Sequence, residues 1–181
     1  MIKVGITGTH GAGKTTVCHE LIFGLKKRDV NAEYLGEVAR EARQKGFKLN
    51  EETTRGAQDW ILYTQIRDEI EIKELRPDVE VLICDRIGLC NYLYRVNKFG
   101  YDADLDPIVN RHAKSYDFIF RVPLNGNYLK HDGVRAMDRE FQRQIDGLIT
   151  EELKRRQIPY HDFLGIDSAL EMILKRLNES K

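Results

Sequence analysis

Gly8-Thr9-His10-Gly11-Ala12-Gly13-Lys14-Thr15 is the stretch on which the reading of the whole chain turns. It satisfies G-x-x-x-x-G-K-[ST] with no position missing. Its glycines permit a curled backbone whose successive N–H groups converge on phosphate oxygens. A helix opening near Lys14 adds the positive end of its dipole. Lys14 then reaches the β- and γ-phosphates, and the Thr15 hydroxyl is placed to ligate Mg²⁺. A glycine-rich turn can match such a pattern by accident, so the flanks decide. Residues 2–7 form a short β-rich run, and Val17, Leu21, Ile22 and Leu25 share one face of a helix over 15–27. Strand, loop and amphipathic helix follow in the order the motif requires. His10, Gly11, Ala12, Gly13, Lys14, Thr15 and Thr16 are therefore the expected seat of the phosphates of a nucleoside triphosphate.

Beyond the loop, strand-like and helix-like segments alternate. Residues 31–35 read as a strand and 37–45 as a helix stopped by Gly46. Asn50-Glu51-Glu52-Thr53 opens a long helix bearing Trp60, Ile61, Ile66, Ile70 and Leu75, which Pro77 ends. In Val79-Glu80-Val81-Leu82-Ile83-Cys84 the last four residues are apolar, which suits a parallel strand buried on both faces. Helices are expected near 89–97 and 105–113, a strand at 116–122, a helix at 136–156, a strand at 159–163 and a closing helix at 168–177. This alternation predicts an α/β fold with a parallel sheet and ligands at the carboxyl ends of its strands.

Composition narrows the field. With 181 residues, 29 Lys plus Arg against 29 Asp plus Glu, the formal net charge is zero. That length fits one domain, spanning 1–181, able to bury a core without disulfides or a structural metal. Charged residues at 32% and apolar ones at 41% describe a globular chain. No apolar run approaches the roughly 18 residues of a membrane span, and the first residues lack the apolar stretch of a signal peptide. Cys18, Cys84 and Cys90 are odd in number and lack C-x-x-C spacing, which argues against a disulfide framework or a zinc site and for a reduced, cytoplasmic protein. Neutrality argues against a surface that coats nucleic acid, while a local basic cluster can still take a small anion. The oligomeric state stays open, a homodimer included.

Asp85 closes the apolar run before it, as the acid of a Walker B strand does, and can hold Mg²⁺ directly or through water. The alternative is an N-cap for the next helix. The following residue is Arg86, not the second carboxylate with which motor ATPases polarise water. A hydrolysis engine is thereby disfavoured, and Arg86 becomes a candidate grip for an anionic acceptor or a transferring phosphoryl group. Asp85-Arg86-Ile87-Gly88 also fits D-x-x-G, and Asn97-Lys98-Phe99-Gly100 begins like the guanine-reading N-K-x-D. Its last position is glycine, and no strand intervenes to present it.

Arg135, Arg139 and Arg143 are spaced four apart and share one helical face. Met137, Phe141, Ile145, Leu148 and Leu153 supply an apolar face elsewhere on the same helix. An Arg-bearing helical lid over about 124–145 would place guanidinium forks on phosphates and exclude water on closing. The alternative is a solvated, salt-bridged face, since Asp138, Glu140 and Asp146 are interspersed.

With these elements in order, the chain resembles the P-loop nucleoside and nucleotide kinases, and within them the ribosylnicotinamide-kinase-like (NadR-type) branch, often labelled AAA-type ATPases. The resemblance rests on the loop at 8–16, Glu37-Val38-Ala39-Arg40-Glu41, Gln65 with Glu69 in the long helix, and Asp132-Gly133-Val134-Arg135. It implies the three-layer P-loop NTPase fold, with a five-stranded parallel sheet of order 2-3-1-4-5 flanked by helices. It implies ATP and Mg²⁺ as cofactors and a small nucleoside or nucleotide as acceptor. Glu37 falls where such kinases orient or deprotonate the acceptor hydroxyl; an exposed acid in the first turn of a helix is the plainer alternative. Arg40, one turn on, can pair with Glu37 or reach the acceptor. Gln65 falls on the helix that walls the acceptor site, with Trp60 and Tyr63 read as core packing. His19, His112, His131 and His161 have no ligand spacing and read as ordinary surface or core histidines.

The chain departs from the branch in Leu35-Gly36-Glu37-Val38, which lacks the aromatic residue that often follows the acid. Asp85-Arg86 is also similar to thymidylate kinases, whose arginine contacts an acceptor monophosphate, so nucleoside and nucleotide acceptors both stay open. By fold analogy residues 163–167 line the adenine pocket. The resulting expectation is a kinase with Lys14, Glu37, Asp85, Arg135 and Arg139 as its catalytic set. Thr15 and Asp85 would hold the metal, and Glu37, Arg40, Gln65 and Arg86 the acceptor. Whether Glu37 or Asp85 is the base, and whether ATP or GTP is preferred, the residues leave open. The rivals are a nucleotide-dependent ATPase or switch with a macromolecular partner, and a nucleic-acid end kinase.

Overall fold

Alternation along β1 (Ile2–Thr7) explains how the layers form. Ile2, Val4 and Ile6 point to one face of the sheet, where they pack with Val17, Leu21 and Leu25 of α1 (Lys14–Lys26) and Leu170, Ile173 and Leu177 of α7 (Ile166–Glu179). The intervening Lys3 and Gly5 face the other way. A Cβ on Gly5 would lie 2.2 Å from Ile87 Cγ2, so only glycine lets that chain cross so close to the strand. This computed structural model describes residues 1–49, 52–124 and 139–179.

The remaining elements are β2 (Ala32–Leu35), α2 (Val38–Gln44), α3 (Arg55–Leu75), β3 (Val81–Asp85), α4 (Gly88–Phe99), α5 (Leu105–Ala113), β4 (Phe118–Arg121), α6 (Arg139–Arg155) and β5 (His161–Asp162). The five strands form one sheet of order β2-β3-β1-β4-β5, every pairing parallel. A second core packs Leu62 of α3, Leu89 and Leu93 of α4, Val109 of α5 and Ile145, Ile149 and Leu153 of α6 on the opposite face. The α/β three-layer fold and the strand order agree with the sequence reading. β3 is buried at every residue, as an interior parallel strand must be.

Several boundaries move. Thr54 caps α3, its hydroxyl accepting from the Ala57 N–H at 3.1 Å, so the helix opens later than Asn50–Thr53 suggested. Asp85 lies inside β3 rather than beyond it. β5 is two exposed residues, because it pairs with β4 alone and its outer edge faces solvent. Residues 125–138, which include Arg135 and most of the expected lid, lie outside the described residues. No helix among the described residues is long and apolar enough to cross a membrane.

Candidate active site

The strand order fixes where the chemistry-bearing side chains meet. β2, β3 and β1 are neighbours and run the same way, so Glu37 after β2, Asp85 at the end of β3 and the loop after β1 line one carboxyl edge. The loop turns through Gly8 at φ 139°, Gly11 at 76° and Gly13 at 89°, a left-handed path that side chains rarely follow. A Cβ on Gly8 would also lie 2.7 Å from the Val122 carbonyl oxygen.

Behind the loop sits a buried acid, Asp85. Thr15 Oγ1 donates to Asp85 Oδ2 at 2.6 Å, and Tyr34 Oη donates to the same oxygen at 3.2 Å. Asp85 is fully buried, and its Oδ1 has no hydrogen-bond partner among the described residues. An orphaned carboxylate oxygen beside a loop hydroxyl is a donor set that suits Mg²⁺, which takes one or two protein oxygens and completes its shell with water and phosphate. The N-cap alternative for Asp85 is overturned: Ile87 is the N-cap of α4, and no side chain bonds there.

Lys14 is buried, its Nζ donating to the Thr9 carbonyl at 2.7 Å. Burial pulls its ammonium down to about 8, with the Arg86 charge adding to the effect. Glu37 accepts from Arg86 Nε at 2.7 Å and from Arg40 Nε at 3.1 Å. Burial acts to raise its carboxyl, yet Arg86, Lys14 and Arg40 together hold it down at about 2. Arg86 itself is buried and its guanidinium stands 4.9 Å from the centroid of the Tyr94 ring. Its backbone adopts φ 90°, in the left-handed region, while its N–H still completes a bond to the Ile6 carbonyl at 3.0 Å. Arg40 Nη2 reaches Thr15 Oγ1 at 3.4 Å.

Lys14, Thr15, Glu37, Arg40, Asp85 and Arg86 thus form one connected group. The other predicted residues divide. Gly11, Ala12 and Gly13 lie in the loop, and Thr16 is exposed at the start of α1. His10 departs from the expected phosphate contact: its backbone N–H donates to Tyr94 Oη at 3.2 Å, and its ring faces Phe141 of α6 at 5.6 Å between centroids. Gln65 is 0% exposed; its amide N–H donates to Glu69 Oε1 at 2.7 Å, and its own Oε1 has no partner among the described residues. Trp60 stacks on Phe47, whereas Tyr63, read as core, is 50% exposed. His112 is a part-buried histidine whose Nε2 lies 2.8 Å from Glu69 Oε2, as the reading of a core histidine allows. Arg139 and Arg143 are exposed on α6, and Arg135 is among the residues not described. Asn97 and Lys98 lie within α4, where Lys98 Nζ donates to the Thr53 carbonyl, so no guanine-reading loop exists there. Leu164 and Gly165, in the segment expected at the adenine, border a cavity of about 320 Å³ also lined by Phe120, His161 and Met172.

The sequence reading missed Cys90 and Tyr94, one turn apart on α4. Arg86 Nη1 lies 3.7 Å from Cys90 Sγ, which in turn donates to the Gly8 carbonyl at 3.8 Å. Their i, i+4 spacing, starting four residues after Arg86, was the available signal.

Residues 3–166 match the model of an AAA domain. The chain belongs to the AAA-domain family. No curated protein sequence matches it. Among solved structures, this AAA-domain chain is similar to a NadR protein in complex with NR, with TM-score 0.73 and 18% identity, covering 98% of this chain. It spans only 52% of that NadR chain. It is also similar to thymidylate kinase from Ehrlichia chaffeensis, with TM-score 0.64 and 19% identity, covering 97% of this chain and 98% of the kinase. The fold of the AAA-domain chain is that of the P-loop nucleoside and nucleotide kinases.

Proposed function

We propose that the protein is a Mg²⁺- and ATP-dependent kinase that transfers the γ-phosphoryl group to a hydroxyl of a small nucleoside-like acceptor. The observation that carries this reading is Glu37. An ionised carboxylate beside the phosphate loop, one strand over from the Thr15–Asp85 pair, suits an acceptor hydroxyl and has no task in simple nucleotide storage.

Lys14 exchanges its bond to the Thr9 carbonyl for the β- and γ-phosphates and meets the charge that develops on them. Thr15 and Asp85 would hold the metal, which would supply positive charge at the phosphates. Glu37, held near 2, is a poor reservoir for protons but a good acceptor of a hydrogen bond. It orients the incoming hydroxyl in line, which suffices for a loose transition state that needs little early deprotonation. Arg135 and Arg139 are the proposed phosphate clamps of a lid over 124–145. Arg86 is already bonded to Glu37 and covered by Tyr94, so an acceptor monophosphate would have to break a buried ion pair to reach it. This favours a nucleoside over a nucleotide. The similarity to the NadR protein in complex with NR supports the same choice.

The test is a transfer assay with ATP or GTP, Mg²⁺ and a panel of nucleosides, monophosphates and oligonucleotides, screened first by thermal shift with a nonhydrolysable ATP analogue. Acceptor-dependent phosphorylation of a nucleoside is the expected result. Rapid hydrolysis that no acceptor stimulates would instead establish an ATPase or switch, and phosphorylated oligonucleotides an end kinase.

A further inference from the structure

We propose that Tyr94 is a positioning residue that fastens the phosphate loop and the Glu37–Arg86 pair to one side chain, and so sets the spacing of nucleotide and acceptor. Its acceptor half rests on the kinase reading above. The hydroxyl of Tyr94 takes the His10 backbone N–H at 3.2 Å and lies 3.3 Å from His10 Nδ1. The face of the same ring carries the Arg86 guanidinium at 4.9 Å, and Arg86 Nε holds Glu37 at 2.7 Å. The ring edge meets Phe141 of α6 at 6.2 Å, while the neighbouring Gln142 donates to the His10 carbonyl at 3.2 Å. One aromatic therefore contacts the phosphate loop, the arginine that pairs with Glu37, and α6, whose first residues fall within the expected lid.

The contacts of Tyr94 differ in kind, so they can be thinned in steps. The hydroxyl bonds the loop backbone and also interacts with Arg86, and the ring carries the guanidinium by a cation–π contact. Tyr94→Phe removes the hydroxyl's contacts and keeps the ring beside Arg86. Tyr94→Met removes both while retaining a flexible apolar side chain that fills the space.

The experiment uses the whole chain, with Mg²⁺ and a nonhydrolysable ATP analogue in a calorimeter and the Glu37 carboxyl followed by ¹³C NMR across pH. Tyr94→Phe is expected to weaken nucleotide binding about three- to tenfold, the worth of one hydrogen bond, with Glu37 still titrating at about 2. Tyr94→Met is expected to weaken nucleotide binding at least as much and to move Glu37 up toward the ordinary 4.5. Nucleotide affinity within about twofold of the parent in Tyr94→Phe would overturn the tie to the loop. An unmoved Glu37 in Tyr94→Met would overturn the tie to the acceptor side. Should Tyr94→Met not fold, Tyr94→Leu, which also lacks a ring and adds no charge, serves for the second measurement. A parent protein that phosphorylates no acceptor, yet shows both shifts in the variants, would remove the kinase reading and leave the coupling intact.

Discussion

Two carboxylates, part-buried Glu37 and buried Glu69, are both held at about 2, and their surroundings differ. Glu69 lies toward the amino end of the sheet. It takes four donors: Gln65 Nε2 and Tyr116 Oη on one oxygen, Lys3 Nζ and His112 Nε2 on the other, the last two each at 2.8 Å. Those donors come from α3, β1, the end of α5 and the turn before β4, so the carboxylate clamps four segments and has no capacity left. At the carboxyl end, Glu37 pairs with buried Arg86 and with exposed Arg40, and its neighbour Asp85 keeps an oxygen with no partner among the described residues. A saturated buried charge is structural; an unsaturated one reserves its capacity for a ligand.

Mutation should separate the two ends. Lys14→Ala is expected to lower phosphoryl transfer by about a thousandfold or more, as loss of a preorganised cation at the developing charge does. Its melting temperature should hold or rise, since a desolvated ammonium is removed. A variant with near-normal turnover would end the role given to Lys14. Glu69→Gln should invert that pattern. Urea unfolding is expected to show a loss of about 3 kcal/mol, because Lys3 keeps its charge without its counterpart and His112 and Tyr116 lose a charged acceptor. Folded Glu69→Gln should retain turnover within a few-fold of the parent; a collapse in turnover with unchanged stability would erase the distinction.

Glu37→Gln is expected to cut turnover about a hundredfold, in the range of positioned acid–base groups, with nucleotide affinity little changed. Equal losses in both would recast Glu37 as part of the nucleotide site. The gentlest test is pH. Both carboxyls are depressed from 4.5 to about 2, so between those values the unfolded chain binds more protons than the folded one. Their stabilisation is fully present above 4.5 and drains away as pH falls toward 2. Unfolding followed through that window should show a slope shallower by about one proton in Glu69→Gln. An unaltered slope would mean that Glu69 is not the depressed group.

What the sequence disclosed follows from how local each signal is. The loop at 8–15 and the apolar run into Asp85 are contiguous, and parallel α/β order follows from alternation, so the sheet and half of the site were readable. Glu37 came through family resemblance, because a lone acid after a short strand carries little signal of its own. The burial of Gln65 went unread although its pattern was available: Gln58, Ile61, Leu62, Gln65 and Glu69 mark one buried face of α3. An amide on that face was read as facing the crevice. The Glu69 cluster was invisible because its partners Lys3, His112 and Tyr116 are 43 to 66 residues away and gain meaning only when the sheet assembles. Edge strand β5 was overdrawn because apolar content marks burial, whereas strand length there is set by pairing on one side.

The left-handed backbone at Arg86 has a consequence for anyone engineering this chain. At φ 90° a long side chain is strained by about 1 kcal/mol or more, and glycine would relieve it. Arg86→Gly would nonetheless lower the melting temperature, because it leaves the Glu37 charge without its buried partner, a loss of about 3 kcal/mol that outweighs the strain. The ion pair therefore holds the backbone in a conformation the residue would not adopt alone. Directed evolution of this scaffold should hold position 86 fixed and seek its stability elsewhere, for instance at the exposed, one-sided edge of β5.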